Sequence, residues 1–167
     1  MTDIFETAAV KVSGIQTDGP LADALSGRSD ILTMTQQAHD AALEPDEPGG
    51  MSHKMRAALS CRMARLSQEE PLAAHFATLM DSASGPTEIN QIADPAFDGG
   101  TDAWLSAILR HTDLVTTDTK AVVAGDIPAL TSAGVSEDDI VRLSELVAFL
   151  SYQIRLAIGL RLIGAAS

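Results

Sequence analysis

The stretch LVAFLSYQIRLAIGLRLIG, residues 146–164, constrains the fold of this chain more than any other. Drawn as a helix it is apolar on nearly every side, whereas an ordinary surface helix carries a single apolar stripe. Gln153 and Arg155 lie near its middle, where a bilayer would disfavour polar groups. We therefore interpret it as a helix buried in a soluble protein, and we expect a subunit interface to cover the side that one chain cannot.

The rest of the sequence predicts an all-α fold. Aromatic residues make up only 4% of the chain, and its apolar content, 46%, consists mainly of helix-forming types. Residues 29–167 are predicted to form one helical domain. Residues 1–28 are predicted to form an N-terminal arm and a short helix, with residues 1–19 as either an arm or a frayed segment. The predicted helices of the domain span about 29–43, 52–67, 69–83, 101–115, 126–134 and 136–163.

Local patterns add detail to these helices. Ser52, Thr101 and Ser136 are expected N-caps, because each precedes a run of helical spacing and a hydroxyl can accept an amide hydrogen bond there. In the first helix of the domain, Ile31 and Met34 begin the stripe expected to face the core, together with alanines 38, 41 and 42. Residues 82–100 predict an irregular, partly mobile segment.

Charge and cysteine content exclude several classes of protein. The net charge of −12 and the absence of a basic cluster argue against nucleic acid and anionic membranes as partners. The single cysteine, Cys61, cannot form an internal disulfide, which suits a reducing cytoplasm. The acidic N-terminus does not resemble a secretory signal, so we expect a cytoplasmic protein.

No motif for a metal or a nucleotide is present. The histidines His39, His53 and His111 show no ligand spacing with one another, and there is no phosphate-binding loop or nucleophile elbow. We therefore expect no cofactor and no metal.

Two segments resemble a known superfamily. MRAALSCRMARLSQEEPLAAHF, residues 55–76, and DIPALTSAGVSEDDIVRLSELVAFLSYQIRLAIGL, residues 126–160, resemble the carboxymuconolactone decarboxylase and alkylhydroperoxidase D superfamily, and more narrowly its peroxidase-related branch. The resemblance extends over about residues 30–163. It implies an alkylhydroperoxidase D-like helical bundle that assembles as a homo-oligomer, either trimer or hexamer, with a dimer as a further alternative.

The redox signature of that superfamily is eroded in this chain. In redox-active members a glutamate is followed, after eleven residues, by C-x-x-C and, after three more, by a histidine that shares proton transfer with the glutamate. Without gaps, these positions fall on Arg56, Gln68, Pro71 and His75, so only the histidine remains. Dithiol peroxidase chemistry needs a thiolate and a resolving sulfur, and both are missing from these positions.

Cys61 and His75 are the first two candidate site residues. Arg62 and Arg65 could lower the pKa of Cys61, or the thiol could be a small buried group beside Ala57 and Ala64. His75 could be a general acid or base, or a half-buried histidine bonded to a carbonyl.

Arg155 is the third candidate. It shares a stripe of small residues with Ser144, Ala148, Ser151 and Gly159, where a guanidinium needs an acceptor. An ion pair across a helix or subunit contact is one interpretation, and a binding site for a carboxylate substrate is the other. Tyr152, one turn away, could take part in either the ion pair or the carboxylate-binding site.

Three functions remain open from the sequence. The first is a residual alkylhydroperoxidase-like activity with a hydroperoxide as substrate. The second is cofactor-free acid–base chemistry of the decarboxylase or lactone type on a small organic acid. Such a reaction needs a base and a carboxylate clamp, for which His75, Arg155 and Arg56 are candidates only if they face one pocket. The third is a non-catalytic protein that keeps the fold for assembly, with a dithiol-containing relative as a further partner.

Overall fold

Eight α-helices build the part of the chain that the computed structural model describes, residues 3–166, and that part contains no strand. The helices are α1 (Ala8–Ser13), α2 (Pro20–Ser26), α3 (Ser29–Leu43), α4 (His53–Leu66), α5 (Glu70–Ser82), α6 (Ala103–Thr117), α7 (Asp126–Ser132) and α8 (Glu137–Ala166). Short 3₁₀ helices span Ile4–Glu6, Thr87–Ala93 and Thr119–Ala121. The predicted all-α class is confirmed.

Helix α4 lies at the centre of the bundle. Every residue from Lys54 to Ala64 is buried, and α5, α6, α8 and the 3₁₀ helix Thr87–Ala93 pack around it. Ser52 begins the helix as predicted, because its hydroxyl accepts a hydrogen bond from the Met55 amide at 3.3 Å. A helix surrounded in this way must satisfy its polar side chains inside the protein.

Helix α8 is buried along one side and exposed along the other. Ser136 caps it as predicted, accepting a hydrogen bond from the Asp139 amide at 3.1 Å. Its buried side packs on α1, α3, α4, α6 and α7, whereas Val141 is 57% exposed, Tyr152 44% and Leu162 67%. Burial on every side is therefore not reached within one chain. By length and composition alone α8 could also cross a membrane, although 39% of its most apolar stretch is buried in the protein.

The structure of the N-terminal arm differs from the sequence prediction. Ile4–Glu6 and Ala8–Ser13 are helical, and α1 packs against α8, α5 and α3. Ala8, Ala9 and Val10 are almost fully buried, because they cover apolar surface that the C-terminal half of α8 would otherwise expose. The expected fraying of residues 1–19 is wrong over this helix; Met1 and Thr2 lie outside the described residues.

Helix α3 has the predicted bounds but buries a different face. Its buried residues are Leu32, Thr35, His39 and Leu43, whereas Ile31 and Met34 are exposed. The stripe chosen from the sequence contained the most apolar side chains, and the observed stripe includes two polar ones that find partners on α8. The N-cap of helix α6 also differs from the prediction. Asp102, and not Thr101, accepts a hydrogen bond from the Leu105 amide at 3.0 Å.

The segment 82–100 is anchored by Arg62, contrary to the prediction of a mobile loop. The Arg62 guanidinium is 2% exposed and donates to the carbonyls of Asp94 at 2.6 Å and Phe97 at 2.9 Å, besides those of Ile92 and Pro95. Its other contact is a two-pronged ion pair with the Asp113 carboxylate on α6, with Nη2 to Oδ2 at 2.6 Å. One side chain on α4 thus holds both this loop and α6.

We expect Arg62→Met to lower the free energy of unfolding by about 3 kcal/mol, because it leaves Asp113 and several carbonyls without their donor. Urea denaturation followed by circular dichroism measures the change. Arg110→Met is the matched control: Arg110 is 58% exposed and pairs with Asp126 at 3.3 Å, so its loss should change stability by less than about 1 kcal/mol. Equal losses in the two variants would contradict the anchoring role.

Candidate functional site

The bend between α4 and α5 holds Gln68 and Pro71, the two positions that the sequence resemblance aligns with a C-x-x-C pair. Gln68 is exposed and adopts a left-handed backbone with φ of 58°, and Pro71 lies exposed in the first turn of α5. Glu69, also in the bend, is buried and paired with Arg161 on α8 through two hydrogen bonds of 2.8 and 2.6 Å. An ion pair, not a sulfur pair, therefore occupies this bend.

Arg56, at the glutamate position of the signature, is fully engaged by the backbone. Its guanidinium donates to the carbonyls of Met51 and Ala42 at 3.0 Å each and to that of Pro48 at 3.1 Å. The side chain is 3% exposed, and burial lowers the pKa of Arg56. Arg56 thus fixes the loop between α3 and α4 and is not free to clamp a carboxylate.

Cys61 has the environment of a structural thiol. It is fully buried, and its Sγ donates to the carbonyl of Ala73 on α5 at 3.4 Å. Burial raises the pKa of the Cys61 thiol, and this outweighs the nearby Arg65, whose charge acts in the opposite direction. Arg62 points away toward Asp113, so the sequence-based idea that two arginines activate the thiol is not supported.

His75 contacts a second histidine that sequence spacing did not reveal. Its Nε2 lies 3.4 Å from Nε2 of His39 on α3, and the two ring centroids are 5.2 Å apart. His75 is half-buried, and burial, followed by the neighbouring His39 and Lys11, lowers the pKa of His75 to about 4. The imidazole is therefore neutral at physiological pH and keeps one free lone pair.

His39 is in turn held by Gln153. The side chain of His39 is 5% exposed and lies between Phe76, which stacks on it, and Phe149, which meets it edge-on. Its Nδ1 lies 3.2 Å from Oε1 and 3.0 Å from Nε2 of the fully buried Gln153 amide on α8. Burial lowers the pKa of His39 more than the Gln153 hydrogen bond raises it.

Three helices therefore build one continuous hydrogen-bonded chain, which we call the Gln153–His39–His75 chain. A buried amide orients one neutral imidazole, and that imidazole meets a second one at the protein surface. Such an arrangement suits general acid–base chemistry, in which a base needs a free lone pair and a partner that fixes its tautomer. Its sequence signal was weak: a polar residue inside each of two apolar stripes, at His39 on α3 and Gln153 on α8.

Arg155 lies apart from this chain. It is exposed, and its Nη1 donates to the Ser151 carbonyl on its own helix at 2.7 Å. At about 100° per residue it projects about 200° around α8 from Gln153, into a shallow depression shared with Ser67 and Thr116. Tyr152 bonds Thr35 at 2.9 Å and not Arg155. The structure thus does not bring His75 and Arg155 together.

Two further features concern the binding of ligands. A cleft of about 490 Å³ runs between the α1–α2 connection and the end of α8, with Arg161 in its wall. Among residues 3–166, no three histidine, cysteine or acidic side chains converge in a way that would hold a metal ion.

Comparison of this chain with protein-family models, with curated proteins and with solved structures found no match.

Proposed function

We propose that this protein is an alkylhydroperoxidase D-like helical protein of the peroxidase-related branch that carries no standard dithiol peroxidase activity. The proposal is supported by the sequence resemblance, by the all-α architecture, and by a bend between α4 and α5 where Gln68 and Pro71 stand in place of cysteines. The one thiol, Cys61, is buried against a carbonyl and has no second sulfur to resolve it.

The chemistry that best fits the geometry is proton transfer at His75. The observation that carries it is the pair of Nε2 atoms, His75 and His39, which face each other at 3.4 Å with His75 half-buried. A neutral imidazole whose other ring nitrogen is held by a hydrogen bond can act as a general base that abstracts a proton from a small organic substrate. Arg155 and Arg56 do not contribute a carboxylate clamp beside it, so any such substrate is held by other groups.

Diethyl pyrocarbonate reactivity tests whether His75 is an available neutral base, since the reagent acylates only unprotonated imidazole. With a pKa near 4, His75 should be modified at about the same rate at pH 5 as at pH 7, whereas an ordinary histidine peptide slows about tenfold or more. Peptide mass spectrometry of the native protein gives the rate, and His75→Asn confirms the assignment. A rate that falls in parallel with the free peptide would refute the proposed base.

Peroxide turnover with a dithiol reductant tests the proposed loss of redox chemistry. We expect no reductant-dependent consumption of an organic hydroperoxide by the wild type or by Cys61→Ser, because a single buried thiol cannot complete the cycle. Turnover by the wild type that disappears in Cys61→Ser would overturn this part of the proposal.

A homo-oligomer is the second proposal, supported by the exposed apolar residues of α8. A stable association would bury this face, as it does in many helical assemblies. We also propose a cytoplasmic location, supported by the single unpaired cysteine and the acidic surface.

We expect size-exclusion chromatography with light scattering to give the mass of a dimer, trimer or hexamer. Leu162→Glu should reduce that mass, because a charge on the α8 face would be desolvated in the interface. Val123→Glu is the matched control, since Val123 is 64% exposed but lies outside α8. A monomeric wild type would exclude the proposed assembly.

A further inference from the structure

Both ends of one buried amide lie within hydrogen-bonding distance of the same histidine nitrogen. Oε1 and Nε2 of Gln153 are 3.2 and 3.0 Å from Nδ1 of His39. Gln153 is fully buried, and its side chain makes no other hydrogen bond with any residue in the described range 3–166. Within that range, nothing else determines which end of the amide faces the imidazole.

We propose that Gln153 is a positioning residue whose amide orientation determines whether His75 presents a lone pair or a proton at Nδ1. The inference rests on the proposed acid–base function, and it names the group that determines whether His75 is available as a base. Nδ1 is the relevant atom because Nε2 of His75 is occupied by His39, whereas Nδ1 has no partner within residues 3–166 and is not among the fully buried, unpaired atoms.

When the amide oxygen of Gln153 faces Nδ1 of His39, the hydrogen bonds are donated in the direction from His75 to Gln153. His39 carries its proton on Nδ1 and donates it to Oε1, which leaves Nε2 of His39 as an acceptor. His75 must then carry its own proton on Nε2 to donate to His39. Its Nδ1 consequently bears a lone pair, and His75 is ready to act as a base.

When the amide nitrogen of Gln153 faces Nδ1 of His39, the donor and the acceptor of each hydrogen bond exchange roles. The amide donates to Nδ1 of His39, and His39 carries its proton on Nε2 and donates it to Nε2 of His75. The proton of His75 is then on Nδ1. In this orientation the neutral His75 presents an N–H donor at Nδ1, which can hydrogen-bond to an oxygen of a substrate but cannot take up a proton.

The two forms hold the same two protons, one on each imidazole, and differ only in which nitrogens carry them. In the first form the protons are on Nδ1 of His39 and Nε2 of His75, and in the second they are on Nε2 of His39 and Nδ1 of His75. An amide cannot take up the proton from Nδ1 of His39, so Gln153 sets the tautomers and takes no part in moving a proton.

The surroundings of the pair are sparsely charged. Lys11 on α1 acts on His75, and Asp40 and Glu44 on α3 act on His39. The neighbours contributed by α5 and α8, Phe76 and Phe149, are apolar. Within residues 3–166 no carboxylate accepts a hydrogen bond from either imidazole, so the direction of the hydrogen bonds sets the choice of tautomer.

Nitrogen-15 NMR of histidine-labelled protein reads the tautomers directly, without substrate. We expect the wild type to populate both forms of His75. Gln153→Glu and Gln153→Met replace the amide by groups that accept but do not donate, so both variants should shift His75 toward the Nε2-protonated form. Gln153→Glu adds a negative charge and should also raise the pKa of His39 and of His75, by about 1 unit or more.

Gln37→Glu and Gln37→Met are the matched controls, since Gln37 is exposed on α3 two residues from His39. They should leave the tautomers and the pKa of His75 unchanged. A single tautomer of His75 that persists in the wild type and in both Gln153 variants would overturn the proposal. If Gln153→Glu does not fold, the uncharged Gln153→Met decides the same question, and the acylation rate of His75 tests the base role separately.

Discussion

A central helix that carries guanidinium groups into the interior governs much of this structure. Arg56 and Arg62 are both nearly fully buried on α4, and a buried charge without partners is very costly. Each is satisfied chiefly by backbone carbonyls of a loop, at 42–51 for Arg56 and at 92–97 for Arg62, with Asp113 added for the latter. Segments without regular structure are thereby ordered by the same side chains that would otherwise destabilise the core.

The Gln153–His39–His75 chain, between α3, α5 and α8, is also a set of polar groups whose partners lie inside the protein. Polar groups from α3, α5 and α8 are enclosed by aromatic rings and satisfy one another in sequence. Unlike the arginines, they carry no permanent charge, and their hydrogen bonds can be drawn in two directions. The bundle thus contains a polar chain whose hydrogen bonds can run in either of two directions.

The helices themselves were largely predictable from the sequence, because capping residues and apolar spacing act locally. The bounds of α3 and the caps at Ser52 and Ser136 follow from such signals. Which face of α3 is buried did not follow, since burial of Thr35 and His39 depends on partners more than a hundred residues away. The burial of α1 was missed for the same reason, because its partner is α8.

The candidate site was predictable only in part. His75 was identified from its position in a motif, and its location at the edge of the core agreed with helical spacing. His39 and Gln153 carry no motif, and their convergence is a property of how three helices pack. Arg155 was predicted to need an acceptor because the all-round apolar helix implied burial, but its side of α8 is exposed in the single chain.

The packing of α1 on α8 links the two extremes of the polypeptide. A Cβ built on Gly164, near the end of α8, would lie 3.4 Å from Ile15 and 3.8 Å from Leu21, two residues close to α1 in the sequence. Helix α1 therefore cannot complete its burial before α8, which begins more than a hundred residues later, has been synthesised. Contacts of such large sequence separation form late in folding, and the apolar face of α1 stays uncovered until then.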